Sequence, residues 1–240
     1  MAREIEEINA SSMADIAFLL LIFFIVTQTL LKEKVLEERL PQRVPDGQIA
    51  PKVMPKDVLE IVANRRDQIL LEREIAEIED IKEKVREFYV HPKSSTIWPT
   101  LTPVKKVEVE AKINEFKGFL SGTGLTPFQE EKYSDSLSKF EAKLRTIELV
   151  GEYDELDKKG MVTIQLDNST KFETYLKVLD QIMLGLNELR DELSREKFNI
   201  PYKKLNEDSD EDKEKLKALR MVYPKRIMKA KNVNTQQATE

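Results

Sequence analysis

The chain has 240 residues, 40% hydrophobic and 35% charged, with 39 basic and 44 acidic side chains and a net charge of −5. That apolar mass suffices for one or two folded domains, while a pI of 5.4 lacks the cationic excess that nucleic-acid binding needs. The lack of cysteine excludes a disulfide framework, a thiolate metal site and a Cys nucleophile, and a single histidine makes a His-based triad or a multi-His zinc site nearly impossible. The expectation is a non-enzyme with no metal and no organic cofactor.

The mean hydropathy of −0.46 suggests a soluble protein, but it averages over an apolar segment. After an acidic leader, 1–12, residues Met13 to Leu31 read MADIAFLLLIFFIVTQTLL. At 1.5 Å per residue this makes a helix of roughly 28 Å, close to the ~30 Å hydrocarbon thickness of a bilayer. Asp15 is its one charged residue, and Ile16 to Val26 is wholly apolar. The Leu, Ile, Phe and Val side chains of that run return about 3–6 kcal/mol on insertion, against about 2.5–3.5 for a central Asp. An acidic leader and the absence of an A-x-A-like site favour an uncleaved transmembrane anchor over a signal peptide. Charge leaves the orientation open, with Arg3 before the span and Lys32, Lys34 and Arg39 after it.

An ionisable group inside a membrane helix is a functional candidate, because low dielectric disfavours the carboxylate and brings it toward proton exchange. Asp15 shares a helix face with Phe18, Leu19, Ile22 and Val26, where partner helices would meet it. The competing reading is a capping box, with Ser12 as N-cap and Asp15 at the third position. Spacing alone does not choose between cap and proton carrier. Thr27, Gln28 and Thr29 could hydrate the far end of the span, or could simply be interfacial.

Residues 32–56 hold Pro41, Pro45, Pro51, Pro55 and Gly47 and read as an extended linker. An α+β unit follows, its first part at 57–90. DVLEIVA and QILLE form strands joined across Asn64–Asp67, and Ile75 to Tyr89 has the spacing of an amphipathic helix. Residues 91–155 form a helical insertion. One pattern runs through Val107, Ile113, Phe116 and Phe119, a second through Tyr133, Leu137, Phe140, Leu144 and Ile147, and Gly122-Thr-Gly124 separates them. This α-hairpin could be a docking surface or a packing decoration, and Gly122–Gly124 lacks the residues of a phosphate loop. The second part of the α+β unit, 156–228, has an alternating strand at Met161–Leu166 and a long helix over Thr170–Phe198, with Thr170 and Glu173 as its start signal. Its apolar stripe reads as core. His91, before Pro92, reads as a surface loop residue. Glu207 to Lys215 lacks EF-hand order and reads as a solvated loop entering a short helix. The tail, 229–240, is polar, and the residues from Lys225 onward could add a last strand.

The stretch Ile8 to Thr27, INASSMADIAFLLLIFFIVT, resembles the N-terminal anchor of the ExbD/TolR family, particularly its Bacteroidetes-type branch. There an I-N-x-[TS] leader element precedes a single helix with one essential aspartate. Ile8, Asn9 and Ser11 match the leader element, Asp15 falls on the aspartate, and Ser12 replaces the usual proline. Arg39-Leu40-Pro41, the first hairpin, Met161–Asp167, the long helix and Tyr223-Pro224 are similar to later family elements. The resemblance implies a single-pass transmembrane helix followed by an α+β periplasmic domain, here with a helical-hairpin insertion. It also implies a bacterial inner-membrane protein with a cytoplasmic N-terminus. Asp15 would carry protons, the coupling ion, with Asn9, Ser11, Ser12 and Thr27 associated with the leader or pore. The implied partners are an ExbB/TolQ-like pentamer, a TonB/TolA-like protein, a second copy of the chain, and peptidoglycan. The alternative is a non-motor anchored binding protein for peptidoglycan or an envelope protein, with Asp15 only a cap.

Overall fold

The computed structural model describes residues 10–29, 54–122, 124–167 and 169–230. The chain divides into two units, Met1–Gln48 and Ile49–Glu240. In the first, helix α1 (Ala10–Thr29) begins three residues before the expected span. The leader residues 1–9, Leu30 and Leu31, the linker over 32–53 and the tail over 231–240 lie outside the described residues.

In the second unit a short 3-10 turn, Pro55–Asp57, leads into β1 (Val58–Ala63) and β2 (Ile69–Leu71). The expected hairpin forms: the strands pair antiparallel, with Ile61 opposite Leu71 and Ala63 opposite Ile69. Asn64 builds its turn, the side-chain oxygen accepting from the Arg66 and Gln68 backbone N–H groups. Strand β6 (Met161–Leu166) lies parallel to β1, and β7 (Ile227–Lys229) parallel to β6. With β3 (Glu74–Ala76) at the other edge, the order is β3-β2-β1-β6-β7. Alternation sorts the faces as period two requires. Leu59, Ile61, Ala63, Val162, Ile164 and Leu166 point into the core, while Glu60, Thr163 and Gln165 take the opposite, half-exposed face. The unit is thus a mixed α/β fold.

Helices α2 (Asp80–Tyr89) and α5 (Phe172–Phe198) bring Ile81, Val85, Phe88, Val178, Ile182, Leu186 and Leu189 into the same core cluster. Gly185 sets how closely they approach. A Cβ there would lie 2.8 Å from the Lys82 carbonyl oxygen and 3.3 Å from the Val85 side chain.

Two expectations for these helices need correction. Residues 75 to 79 are not helical: Glu72 and Arg73 take positive φ and fold Glu74–Ala76 back as β3, and the Asp80 carboxylate accepts from the Glu77 N–H where α2 begins. Nor does Thr170 cap α5. Its hydroxyl donates to the Ala63 and Asn64 carbonyls at the end of β1, and Lys171 occupies the N-cap position without a capping side chain. Most of the α5 stripe is core, but Phe172 and Leu176 are exposed.

The insertion is a helical hairpin, α3 (Lys106–Leu120) and α4 (Pro127–Val150), as expected. Pro at the first position and a reciprocal Thr126–Gln129 capping box start α4, and Gly151 at φ 87 ends it. A separate small core holds Val104, Val109, Ile113 and Ile147 with Leu137, Phe140, Leu144 and Tyr153 packed around it. Val107, expected on the buried stripe, is 75% exposed; Val109 takes its place because it shares a face with Ile113. The hairpin is closed at its base by strands that the sequence pattern did not reveal, β4 (Leu101–Val104) paired antiparallel with β5 (Tyr153–Leu156). Helix α6 (Asp210–Val222) packs Ala218 and Val222 against Val150 of α4. His91 is half-buried rather than a free surface residue, its ring nitrogens meeting two backbone carbonyls.

Candidate functional site

Helix α1 is apolar on every side. Among its described side chains, Ile16, Phe18, Leu19, Leu20 and Phe23 are each more than half exposed. Leaving such a side chain in water forgoes about 1.5–3 kcal/mol relative to burial.

Asp15 lies in the second turn of α1 and is exposed. This placement removes the capping-box reading. An N-cap residue has non-helical backbone and precedes the first turn, whereas Ser12 is already helical, two residues inside. Ser11 and Ser12 stand four and three positions before Asp15 in the same helix. Thr27 is twelve positions further on, roughly 18 Å along the axis, and does not join them. The side chains of Ser11, Ser12 and Thr27 and all of Asn9 lie outside what the structure describes.

Among the described residues no helix is long and apolar enough to cross a membrane. Side chains are described over 13–24, about 18 Å of helix axis, against the ~30 Å of a hydrocarbon core. The backbone helix continues beyond both ends of that stretch, from Ala10 to Thr29.

The described side chains of the second unit form several polar networks. Asp67, at φ 59, accepts from the Lys171 backbone N–H at 3.2 Å and the Thr174 hydroxyl at 2.9 Å. These bonds, with the Lys171 charge nearby, hold its carboxyl below the usual range. Asp167 is lowered too, first by the Ser169 N–H and then by Arg65 at 3.1 Å. Arg190 is buried and spends its guanidinium on the Tyr223 carbonyl, at 2.7 and 3.1 Å, so it fastens α5 to the end of α6. Neither the remote Asp67 cap nor the Arg190 clasp has a local sequence signal. Among the described residues no group of three His, Asp or Glu side chains is placed to hold a metal ion. A groove of about 400 Å³ between α4 and α6 has Leu149, Ala218 and Met221 in its wall and Arg145 and Lys217 beside them.

A family model described as "Biopolymer transport protein ExbD/TolR" matches residues 1–190. The match takes in α1, the sheet through β6, the insertion and most of α5, and ends before α6 and β7. No curated protein and no solved structure matches the chain. An apolar helix with one carboxylate in its second turn, a mixed α/β unit after it, and a match over more than three quarters of the length lead to one conclusion: the chain belongs to the ExbD/TolR family.

Proposed function

We propose that the chain is the anchored subunit of a proton-driven motor in the bacterial inner membrane, and that Asp15 is its proton-carrying group. The observation that carries this reading is the position of Asp15, the one charged residue of α1, inside the helix and relieved of any capping duty. Family membership supplies the coarser part, energisation of biopolymer transport. In this reading α1 spans the bilayer with residues 1–12 in the cytoplasm, and the α/β unit with its hairpin lies in the periplasm. A pentamer of ExbB/TolQ-like subunits surrounds α1, and a second copy shares the pore. A TonB/TolA-like protein receives the work, and peptidoglycan is a further contact of the exported unit. No cofactor or metal takes part, and the chain catalyses no covalent step.

The chemistry follows from the medium. A protonated Asp15 is neutral and tolerates an apolar neighbour; deprotonated, it needs a polar group, which hydroxyls on a partner helix would supply. Exchange between the two states as protons pass makes the preferred orientation of α1 depend on the proton gradient. One charge falling through 100 mV yields about 2.3 kcal/mol, enough to bias a step of a rotation.

Asp15→Asn keeps size and polarity and removes titration. The variant is expected to reach the membrane in normal amounts and to co-purify with a polytopic partner, yet to lose energised uptake across the outer membrane. Uptake at the wild-type level would refute the role of Asp15. A chain that brings down no polytopic partner would instead support the anchored binder.

A further inference from the structure

His91 is the chain's one histidine and Trp98 its one tryptophan, and both lie in the segment that leads from α2 into the insertion. The imidazole stands between two backbone carbonyls. Its Nδ1 is 3.2 Å from the Phe88 oxygen, and its Nε2 is 2.8 Å from the Pro99 oxygen. Phe88 is in the last turn of α2, and Pro99 comes two residues before β4, so the ring ties together the two ends of an excursion.

A carbonyl oxygen only accepts hydrogen bonds. Neutral imidazole has one N–H, so one of its nitrogens would face a carbonyl lone pair to lone pair; imidazolium has two N–H groups and satisfies both carbonyls. We propose that His91 is a proton-operated clamp that fastens the entry of the insertion to the end of α2 when protonated and releases one side when neutral.

The surroundings favour this role. Trp98, carried on the clamped segment, is buried and packs edge-on against Phe88 with ring centroids 5.6 Å apart. Its Nε1 donates to the Glu87 carboxylate at 3.4 Å, and the Lys84 ammonium lies 5.4 Å from its ring centroid. Charged groups in contact with the segment include Glu87 and Lys84 from α2, and a Lys93–Asp154 pair at 2.7 Å joins it to β5. Lys84, then the bond from Trp98, hold the Glu87 carboxyl below the usual range, and the His91 charge acts in the same direction. Glu87 thus stays ionised through the window, between about pH 5 and 8, in which histidine side chains ordinarily titrate. Of the side-chain types gathered here, only imidazole ordinarily changes charge in that window. The clamp acts on β4 and hence on the base of the α3–α4 hairpin, and it stands whether or not Asp15 carries protons.

The test uses the full-length chain in membrane-mimetic nanodiscs. Acrylamide quenching of the single Trp98 is measured at about pH 5.5 and about pH 8, in the wild type and in His91→Gln. In the wild type the quenching constant is expected to rise about twofold or more at the higher pH; in His91→Gln it should not depend on pH. Equal quenching at both pH values in the wild type would overturn the clamp, as would an unchanged pH dependence in the variant. The ring can also be read without a substitution. Labelling histidine alone with nitrogen-15 should show two slowly exchanging ring N–H protons at about pH 5.5. Fast exchange of either proton at that pH would equally overturn it.

Discussion

Asp67 fastens the start of α5 from more than a hundred residues away, accepting from the backbone N–H of its N-cap residue, Lys171, and from the Thr174 hydroxyl. Its contribution to stability has a definite sign. The folded carboxyl is held low, so the stabilisation is complete above the unfolded value near pH 3.9 and is lost as pH falls through the folded one. Asp67→Asn keeps the accepting oxygen but cannot titrate. The slope of unfolding free energy against pH, measured by urea titration between about pH 5 and 3, should be shallower in the variant. Tyr153 makes the opposite case. Its hydroxyl is buried without a partner among the described residues, and burial, with Glu155 close by, pushes its ionisation above the usual phenol range. Removing an unsatisfied polar group recovers its desolvation penalty. Tyr153→Phe should therefore raise stability by about 1 kcal/mol in denaturant titration, where a lost hydrogen bond would lower it. At this scale the sequence misleads, because Thr170 and Glu173 have capping spacing while the Thr170 hydroxyl is committed to β1. Partners remote in sequence leave no local pattern.

At the scale of elements, alternation was enough to place β1, β2 and β6, since strands half-buried in one sheet must repeat every second residue. The spacing of Ile75 and Ile78 resembles a helix turn equally well, and only the positive φ at Glu72 and Arg73 turns the first of them into a strand. Strands β4 and β5 carry no such pattern. Each has four residues, and Pro103, Asp154 and Glu155 break any apolar alternation. The α2–α5 contact depends on Gly185 in a way that can be checked by sign. Gly→Ala in a free helix position gains up to about 1 kcal/mol, whereas overpacking a tight contact costs about 1–3. Gly185→Ala should thus lower stability by about 1 kcal/mol net, because the new methyl meets the Lys82 carbonyl. Gly118→Ala, on the exposed side of α3 with nothing within 4 Å, should raise it. Matching signs at the two sites in thermal unfolding would contradict the close approach.

For the whole molecule, composition misdirects, because a highly charged second unit dilutes an apolar helix bearing one acid. The order of residues corrects this: the stretch from Ile8 to Thr27 pointed to the ExbD/TolR family, and the match over residues 1–190 shows it. The helical start at Ala10 then removes the capping alternative for Asp15, which spacing had left level with proton transfer. Whether this carboxylate carries protons is read from proton flux. The native complex, purified through this chain and reconstituted into vesicles, is placed under an imposed membrane potential while an enclosed pH-sensitive dye reports proton entry. At least a tenfold loss of potential-driven flux is expected in Asp15→Asn, with the complex still assembled. Flux at the wild-type rate in an intact Asp15→Asn complex would contradict it.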